Sequence, residues 1–404
     1  TGSGKTLAFL MPAIVHIEAQ EPLQRGRATP IALVLAPTRE LAVQICEEAE
    51  KLLGRSKEGR HADGVRAACA YGGLPKPEQL KALRWGCHVL VATPGRLADL
   101  LEQQEVSLSR VTYFVLDEAD RMLDYGFQGE LDRIAGAVRP DRHMLFFSAT
   151  WPREVQDLAK ALCQGGQQPV RLAVGQGDDG VVATRADIVQ QVEVFDQETW
   201  EERDAAKRNF LYAHVRKVLK KKENKALVFV NSKALADEMR DTLWKEGFKA
   251  DSMHGGRPQQ TRLNVLDSFR RGEMRLLVAT DVMGRGLDIP DISHVVVFDM
   301  GDVEDYVHRI GRTARGLSER GGHSLTLFEY NSRWPEIAGE LVGVLKEAAQ
   351  EVPEGLQAIA DEVAAGRRPV DARATRSAES GGAWGSGGWK ANGQQANGWK
   401  GRGH

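Results

Sequence analysis

The chain has 404 residues, of which 42% are hydrophobic and 27% are charged, and its formal net charge is −2 at pH 7. Because single domains usually span roughly 100–200 residues, this length has room for two medium-sized domains and a tail. The near-neutral charge excludes a global basic field, so any contact with nucleic acid must come from local patches. The four cysteines form no CxxC pair, which favours reduced thiols in an intracellular protein over a disulfide or zinc framework.

The apolar pattern also disfavours a membrane-spanning protein and a secreted one. No apolar run approaches the roughly 20 residues that cross a bilayer, and no basic-then-apolar leader is present, so we expect no membrane contact. The chain begins at Thr1 inside a glycine-rich motif and without a methionine. We therefore expect upstream sequence to be missing.

Short apolar runs bounded by turn residues alternate with stretches of helical period. A run at 31–35, for example, precedes a helical pattern at 40–53. The predicted strands are 31–35, 65–70, 88–92, 112–116 and 144–147, and then 189–194, 226–230, 249–253, 275–279, 294–298 and 324–328. Short buried strands joined by helical crossovers predict α/β folding, with parallel sheets covered on both faces.

The alternation of strands and helices is interrupted at a linker and again at a C-terminal tail, and these interruptions predict the domain limits. The segment 175–185 is polar and glycine-rich, as linkers are. We predict a first domain at 1–174, a linker at 175–186, a second domain at 187–347, a helical extension at 348–365 and a tail at 366–404.

The predicted tail is basic and poor in groups that could form a core. It holds seven Lys and Arg residues against two acids, a local net charge of +5. Such composition predicts disorder. Two near-copies, GWKANG and NGWKGRG, place tryptophan beside a cation, which suits stacking on unpaired bases. A solubilising linker end explains the same residues equally well.

The first motif is TGSGKT at 1–6. Its glycines let backbone N–H groups surround phosphate oxygens, Lys5 can reach the terminal phosphates, and the Thr6 hydroxyl can bind Mg²⁺. The pattern therefore predicts a phosphate-binding loop.

A strand-like run ends in carboxylates at 111–120, VTYFVLDEAD. Asp117 and Glu118 would lie at the carboxyl end of a parallel strand, where open α/β sheets expose their chemistry. One carboxylate can hold the Mg²⁺ shell while its neighbour orients water for attack on a γ-phosphate. The triplet SAT, 148–150, follows another apolar strand and is consistent with a polar coupling element.

The run YVHRIGRTAR, residues 306–315, contains three arginines at intervals of three residues. An arginine that reaches the γ-phosphate from another domain acts as an arginine finger, worth roughly 10³–10⁵ in rate. Another run, ATDVMGRGLD at 279–288, carries glycines that permit close backbone approach to a ligand.

Taken in order, these motifs resemble the DEAD-box RNA helicase family from Thr1 to about Tyr330. The matching runs are TGSGKT, PTRELA, GG, TPGR, DEAD, SAT, LVFVN, HGGRPQQTR, ATDVMGRGLD and HRIGRTAR. The resemblance implies two RecA-like domains with parallel sheets, with ATP, Mg²⁺ and RNA bound across the cleft between them.

The resemblance also implies residue roles. The nucleotide set is Gly2, Ser3, Gly4, Lys5, Thr6, Gly286 and Asp288, with Thr6 and Asp117 on the metal, Glu118 on the attacking water, and Arg312 and Arg315 as fingers. The RNA-backbone set is Pro37, Thr38, Arg39, Gly73, Thr93, Pro94, Arg96, Gly255, Arg262 and Thr280. The interdomain-coupling set is Asp120, Ser148, Thr150, His308 and Arg309.

Side chains of these types reach phosphates and 2′-hydroxyls, which carry no base sequence. We therefore expect RNA binding that is sequence-independent, salt-sensitive and selective against DNA, by a monomer that unwinds short duplexes or remodels ribonucleoproteins. Trp151 after SAT resembles a nuclear branch serving ribosome assembly and mRNA remodelling, so we expect the nucleus or nucleolus.

Some features depart from the family pattern. Gly284 replaces the usual alanine and Ala314 the usual glycine, and we expect activity to survive both changes. The segment that recognises adenine should lie upstream, so we expect low ATPase activity without it. The alternatives are a related DNA helicase and an ATP-gated RNA clamp that scaffolds other proteins.

Overall fold

The structure is a computed structural model that describes residues 4–23, 26, 28–53, 59–61, 64–163, 169–172, 187–281, 289, 291–314 and 321–371. The predicted linker and the predicted tail beyond residue 371 lie outside these residues. So do five predicted site residues: Gly2, Ser3, Gly286, Asp288 and Arg315. No helix among the described residues is both long enough and apolar enough to cross a membrane.

The first α/β domain contains a five-stranded sheet and the helices around it. Its strands are β1 (Ala32–Leu35), β2 (Ala67–Ala70), β3 (Val89–Ala92), β4 (Tyr113–Asp117) and β5 (His143–Phe147). Its helices are α1 (Lys5–Glu18), α2 (Arg39–Leu53), α3 (Lys76–Arg84), α4 (Pro94–Glu102), α5 (Ala119–Asp124), α6 (Gln128–Ala137) and α7 (Arg153–Leu162). The strand order is β2-β3-β1-β4-β5, and every pairing is parallel.

The second α/β domain contains a six-stranded sheet. Its strands are β6 (Ile188–Phe195), β7 (Ala226–Phe229), β8 (Ala250–Met253), β9 (Leu276–Ala279), β10 (His294–Val297) and β11 (Gly322–Glu329). Its helices are α8 (Trp200–Val218), α9 (Lys233–Lys245), α10 (Gln259–Arg270), α11 (Val303–Ile310), α12 (Ile337–Glu347) and α13 (Glu354–Ala364). The order is β6-β11-β10-β7-β9-β8, again all parallel.

The predicted fold class is confirmed, because both sheets are parallel and each has apolar clusters on two faces. β1, β3 and β4 are buried along their whole length, as expected for strands covered on both sides. The edge strand β5 is partly exposed throughout. α13, within the predicted helical extension, buries Leu356 and Ile359 in the second domain's core.

Helix α11 has capping chemistry that fixes its start and end. The Asp302 side chain accepts the backbone N–H of Asp305 at 2.6 Å, as an N-cap residue does. Acidic residues occupy the first turn, and His308 and Arg309 the last. These charges complement the helix dipole, so the local sequence stabilises α11 and sets where it begins.

Candidate functional site

The carboxyl end of β4 presents two adjacent acidic residues. Asp117 is 6% exposed. Burial raises its pKa to about 7, with Glu118 adding to the rise and Lys5 opposing it. Glu118 has φ of +56°, a left-handed conformation that is uncommon for a residue with a Cβ. Such strain concentrates at functional sites, and here it turns the chain from β4 into α5.

The N-terminal end of α1 carries a lysine, Lys5, whose charge acts on one of the same two acidic residues. Gly4 caps the helix in a left-handed conformation, and Lys5 and Thr6 form its first turn. The Lys5 ammonium group lowers the pKa of Asp117, against the larger effect of burial. A helix N-terminus with a lysine beside it attracts anions.

Asp120 joins the ends of β4 and β5. Its Oδ2 accepts the backbone N–H of Thr150 at 3.2 Å and the Thr150 hydroxyl at 3.0 Å. The Ser148 hydroxyl accepts the backbone N–H of Asp120 at 3.3 Å. A shift at the carboxyl end of β4 would therefore be transmitted to the segment after β5.

An ion pair connects the two domains directly behind the acidic edge. Nη2 of Arg121, on α5, lies 3.0 Å from Oδ1 of Asp305, on α11. Both side chains are largely buried. Burial disfavours the charged form of Arg121, but Asp305, Tyr125, Asp281 and Asp124 together outweigh it and raise the arginine's pKa. α5 begins immediately after Glu118 and α11 ends two residues before Arg312, so this pair brings the acidic edge and the arginine motif to one interface.

The arginine motif contains one arginine whose donors are taken up within its own domain. Arg309 is 1% exposed. It donates to Asp281 at 2.8 Å, to the Asp299 carbonyl at 2.7 Å and to Asn231 at 2.9 Å. Arg312 is 3% exposed and donates through Nε to the His308 carbonyl at 3.1 Å. Arg309 thus holds together the segments that follow three strands of the second sheet.

Ala314 adopts a left-handed conformation, with φ of +55°. An alanine pays roughly 1–2 kcal/mol for this conformation, whereas glycine adopts it freely. The replacement of the family's glycine is therefore a strained substitution as well as a change in size.

The residues expected to contact RNA backbone differ in how far their polar groups are already bonded. Thr38 caps the start of α2 by accepting the Leu41 N–H at 3.3 Å. The Arg96 side chain is 9% exposed and donates from Nη2 to the Leu74 carbonyl at 3.1 Å. Its Nη1 is buried and has no hydrogen-bond partner among the described residues. Because an unmet buried donor is costly, Arg96 is a strong candidate to bind an anion.

The remaining residues expected to contact RNA lie after the carboxyl ends of strands in the two sheets. Pro37, Thr93 and Pro94 are buried, Thr280 is partly exposed and Gly255 is exposed. Since Pro37, Thr93 and Pro94 are covered, only their edges and backbone groups could meet a ligand in this arrangement.

Arg262 lies in a second interdomain contact. Its Nη2 lies 2.6 Å from Oε1 of Glu40, which also accepts a hydrogen bond from Gln259 at 2.9 Å. Arg39 donates to Gln259 at 3.3 Å. Gly73 lies beneath Arg39 with φ of +85°, and a Cβ there would overlap the guanidinium. Glu40 and Gln259 were not predicted from the sequence. Glu40 follows the predicted Arg39 directly, and Gln259 lies three residues before the predicted Arg262.

Comparison with known proteins agrees with this geometry. Residues 1–158 match the model of the DEAD/DEAH box helicase family, and residues 206–316 match that of the helicase conserved C-terminal domain. The chain belongs to the DEAD-box helicase family. The ATP-dependent RNA helicase DBP2 of Candida albicans is 45% identical over 359 residues, which cover 88% of this chain and 59% of that protein. That of Gibberella zeae is 46% identical over 353 residues, covering 87% and 59%.

Solved structures of other DEAD-box proteins have the same fold. S. cerevisiae Dbp5 bound to RNA and ADP BeF3 is 26% identical with a TM-score of 0.67, covering 91% of this chain and 88% of that one. DEAD-box helicase Mss116 bound to ssRNA and UDP-BeF is 26% identical with a TM-score of 0.72, covering 88% and 71%. This DEAD-box chain spans about three fifths of the length of the curated relatives.

Proposed function

We propose that this DEAD-box chain is the motor of an ATP-dependent RNA helicase. ATP hydrolysis would be stimulated by RNA and would open short duplexes or remodel ribonucleoproteins. The observation that carries the proposal is the Arg121–Asp305 pair, because it brings the acidic edge after β4 and the arginine motif after α11 to one interface. A site divided between two domains is completed only when they close.

The first domain supplies the groups for the nucleotide. Lys5 would contact the terminal phosphates, and Glu118 would orient the attacking water. Thr6 and Asp117 would hold Mg²⁺, which would neutralise charge on the phosphates. A cation bound at Asp117 would offset the cost of ionising this buried carboxylate beside Glu118. Within the described ranges, no cluster of three or more His, Cys, Asp or Glu could hold a metal alone, and a site completed by phosphates needs none.

The second domain supplies the arginines. Arg312, together with Arg315 outside the described residues, would stabilise charge on the transferring phosphoryl group. Arg309 would hold this segment, since its own donors are bonded to the second sheet. Hydrolysis would then depend on the interdomain contacts.

RNA would bind across both domains through its backbone. The unpartnered Nη1 of Arg96 supports this part of the proposal, because a phosphate oxygen would satisfy it. Contacts of this kind carry no base sequence. The names of the curated relatives and the RNA-bound DEAD-box structures also support it. We further propose a monomer in the nucleus or nucleolus, the location resting on Trp151 alone.

The test is RNA-stimulated ATP hydrolysis by the full-length protein and its Glu118→Gln variant. We expect turnover to fall by roughly 10²–10⁴, the contribution of a positioned acid–base group, with RNA binding retained. Glu102→Gln, at an exposed acid of the same domain, is the matched control and should keep its rate. Turnover by Glu118→Gln at the control's rate would remove Glu118 from the mechanism.

A further inference from the structure

Lys207 is a buried lysine at the carboxyl edge of the second sheet. It lies on α8 and is 2% exposed. Its Nζ lies 3.1 Å from Oε1 of Glu329, the last residue of β11, and 3.6 Å from Oδ1 of Asp299, which follows β10. It also lies 4.5 Å from the ring centroid of Phe298. The ammonium group therefore joins two neighbouring strand ends.

Asp299 carries this contact to Arg309 by two routes. Its second carboxylate oxygen accepts the backbone N–H of Asn231 at 3.0 Å, and the Asn231 side chain accepts from Arg309 at 2.9 Å. The Asp299 backbone carbonyl accepts directly from Arg309 at 2.7 Å. Because Lys207 engages one carboxylate oxygen, the other is left to hold Asn231.

Arg309 in turn sets the start of the segment that carries Arg312. The Arg312 N–H donates to the Arg309 carbonyl at 3.0 Å. The opposite end of α11 bears Asp305, which pairs with Arg121 of the first domain. A displacement of Arg309 would therefore move Arg312 relative to the first domain.

Holding the sheet together does not by itself require a charge at this position. β10 and β11 are already paired in parallel along β10, and a buried ion pair replaced by apolar side chains often leaves stability unchanged. We infer that Lys207 is a positioning residue, which orients the Asp299 carboxylate and, through Arg309, places Arg312 for hydrolysis. The inference rests on the proposed function.

The first test compares Lys207→Met with wild type in RNA-stimulated ATP hydrolysis by the full-length protein, well below the unfolding temperature of either. We expect kcat to fall about tenfold with KM for ATP nearly unchanged, because the lost group acts on the transition state and not on binding. Lys207→Arg should restore most of the rate. Lys217→Met, at an exposed lysine of the same helix, should match wild type.

The second test is a double-mutant cycle. If Lys207 acts through the Asp299 carboxylate, adding Asp299→Asn to Lys207→Met should slow the enzyme no further than the slower single variant. Losses that multiply would overturn the inference. Should Lys207→Met fold poorly, Asp299→Asn keeps the side-chain shape and should show the same fall in kcat.

The outcomes separate the two claims. A wild-type protein without RNA-stimulated turnover would refute the proposed function. With an active wild type, an unchanged kcat in both Lys207→Met and Asp299→Asn would overturn the positioning role alone. A fall in kcat that is fully explained by a smaller fraction of folded protein would also overturn the positioning role.

Discussion

Two buried arginines, one in each domain, differ in how completely their donors are bonded. Arg309 of the second domain donates to two side chains and a carbonyl. Arg96 of the first domain donates to one carbonyl and leaves Nη1 without a partner among the described residues. A saturated guanidinium stabilises the protein, whereas one with an unmet donor has a contact to offer a ligand. The difference supports a structural role for Arg309 and the proposed phosphate contact for Arg96.

A third kind of buried arginine pairs with a carboxylate across the interface between the two domains. Arg121 and Arg262 are buried, and each pairs with a carboxylate of the other domain. Opening the cleft would separate Arg262 from Glu40 and would leave Arg121 paired with the more exposed Asp124 of its own helix. These pairs therefore favour the closed arrangement and are the contacts on which closure should depend.

The largest effect is expected from Arg309→Leu. Removing it leaves Asp281 without a buried cation and should lower the free energy of unfolding by about 3–5 kcal/mol, measured by chemical denaturation. Arg216→Leu, at an exposed arginine paired with Glu246, is the control and should change it by less than about 1 kcal/mol. Equal stability of the two variants would mean that the buried contacts of Arg309 contribute no more to stability than an exposed ion pair.

A smaller effect is expected when the interdomain pair is broken. Arg121→Ala should raise the RNA concentration needed for half-maximal ATPase about tenfold, since such couplings are typically worth 5–150-fold. Exchanging the charges, with Arg121→Asp and Asp305→Arg together, should recover part of the loss. If the exchange behaves like the single variants added together, the pair does not control closure.

Arg96→Ala should weaken RNA binding several-fold while leaving the free energy of unfolding nearly unchanged. Losing one phosphate contact should also reduce the slope of log affinity against log salt concentration by about 1. Arg153→Ala, at an arginine 90% exposed, serves as the control. An unchanged salt slope would mean that Arg96 does not reach a phosphate.

The smallest effect concerns Ala314. Ala314→Gly should raise the free energy of unfolding by about 0.5–1 kcal/mol, because the relief of left-handed strain exceeds the added freedom of the unfolded chain. Ala349→Gly, at φ of +52° after α12 and outside the site, should show a similar gain. A loss of stability at Ala314 alone would mean that its methyl group makes a contact that offsets the strain.

The sequence predicted the sheets well because their strands are short apolar runs buried on both faces. The predicted strand 226–230 corresponds to β7, and 275–279 to β9, each within one residue at either end. Strand ends were less accurate where pairing decides them, as in β11, which extends to Gly322 because it pairs with all eight residues of β6.

Contacts that depend on tertiary placement could not be predicted. Lys207 and Glu40 each belong to a residue type that is almost always exposed, so nothing local indicates that they are buried and paired. The left-handed conformation of Ala314 was missed because alanine carries no signal for it. The residue pattern identified which motifs bear charge, but only the fold determines which charges are already bonded.

The most direct test of the account is ATP hydrolysis by the full-length protein with no nucleic acid, with single-stranded RNA, and with DNA of the same sequence. We expect that RNA raises turnover strongly, that unrelated RNA sequences do so equally, and that DNA does so far less. Turnover that is the same with and without RNA, or equally stimulated by DNA, would contradict it.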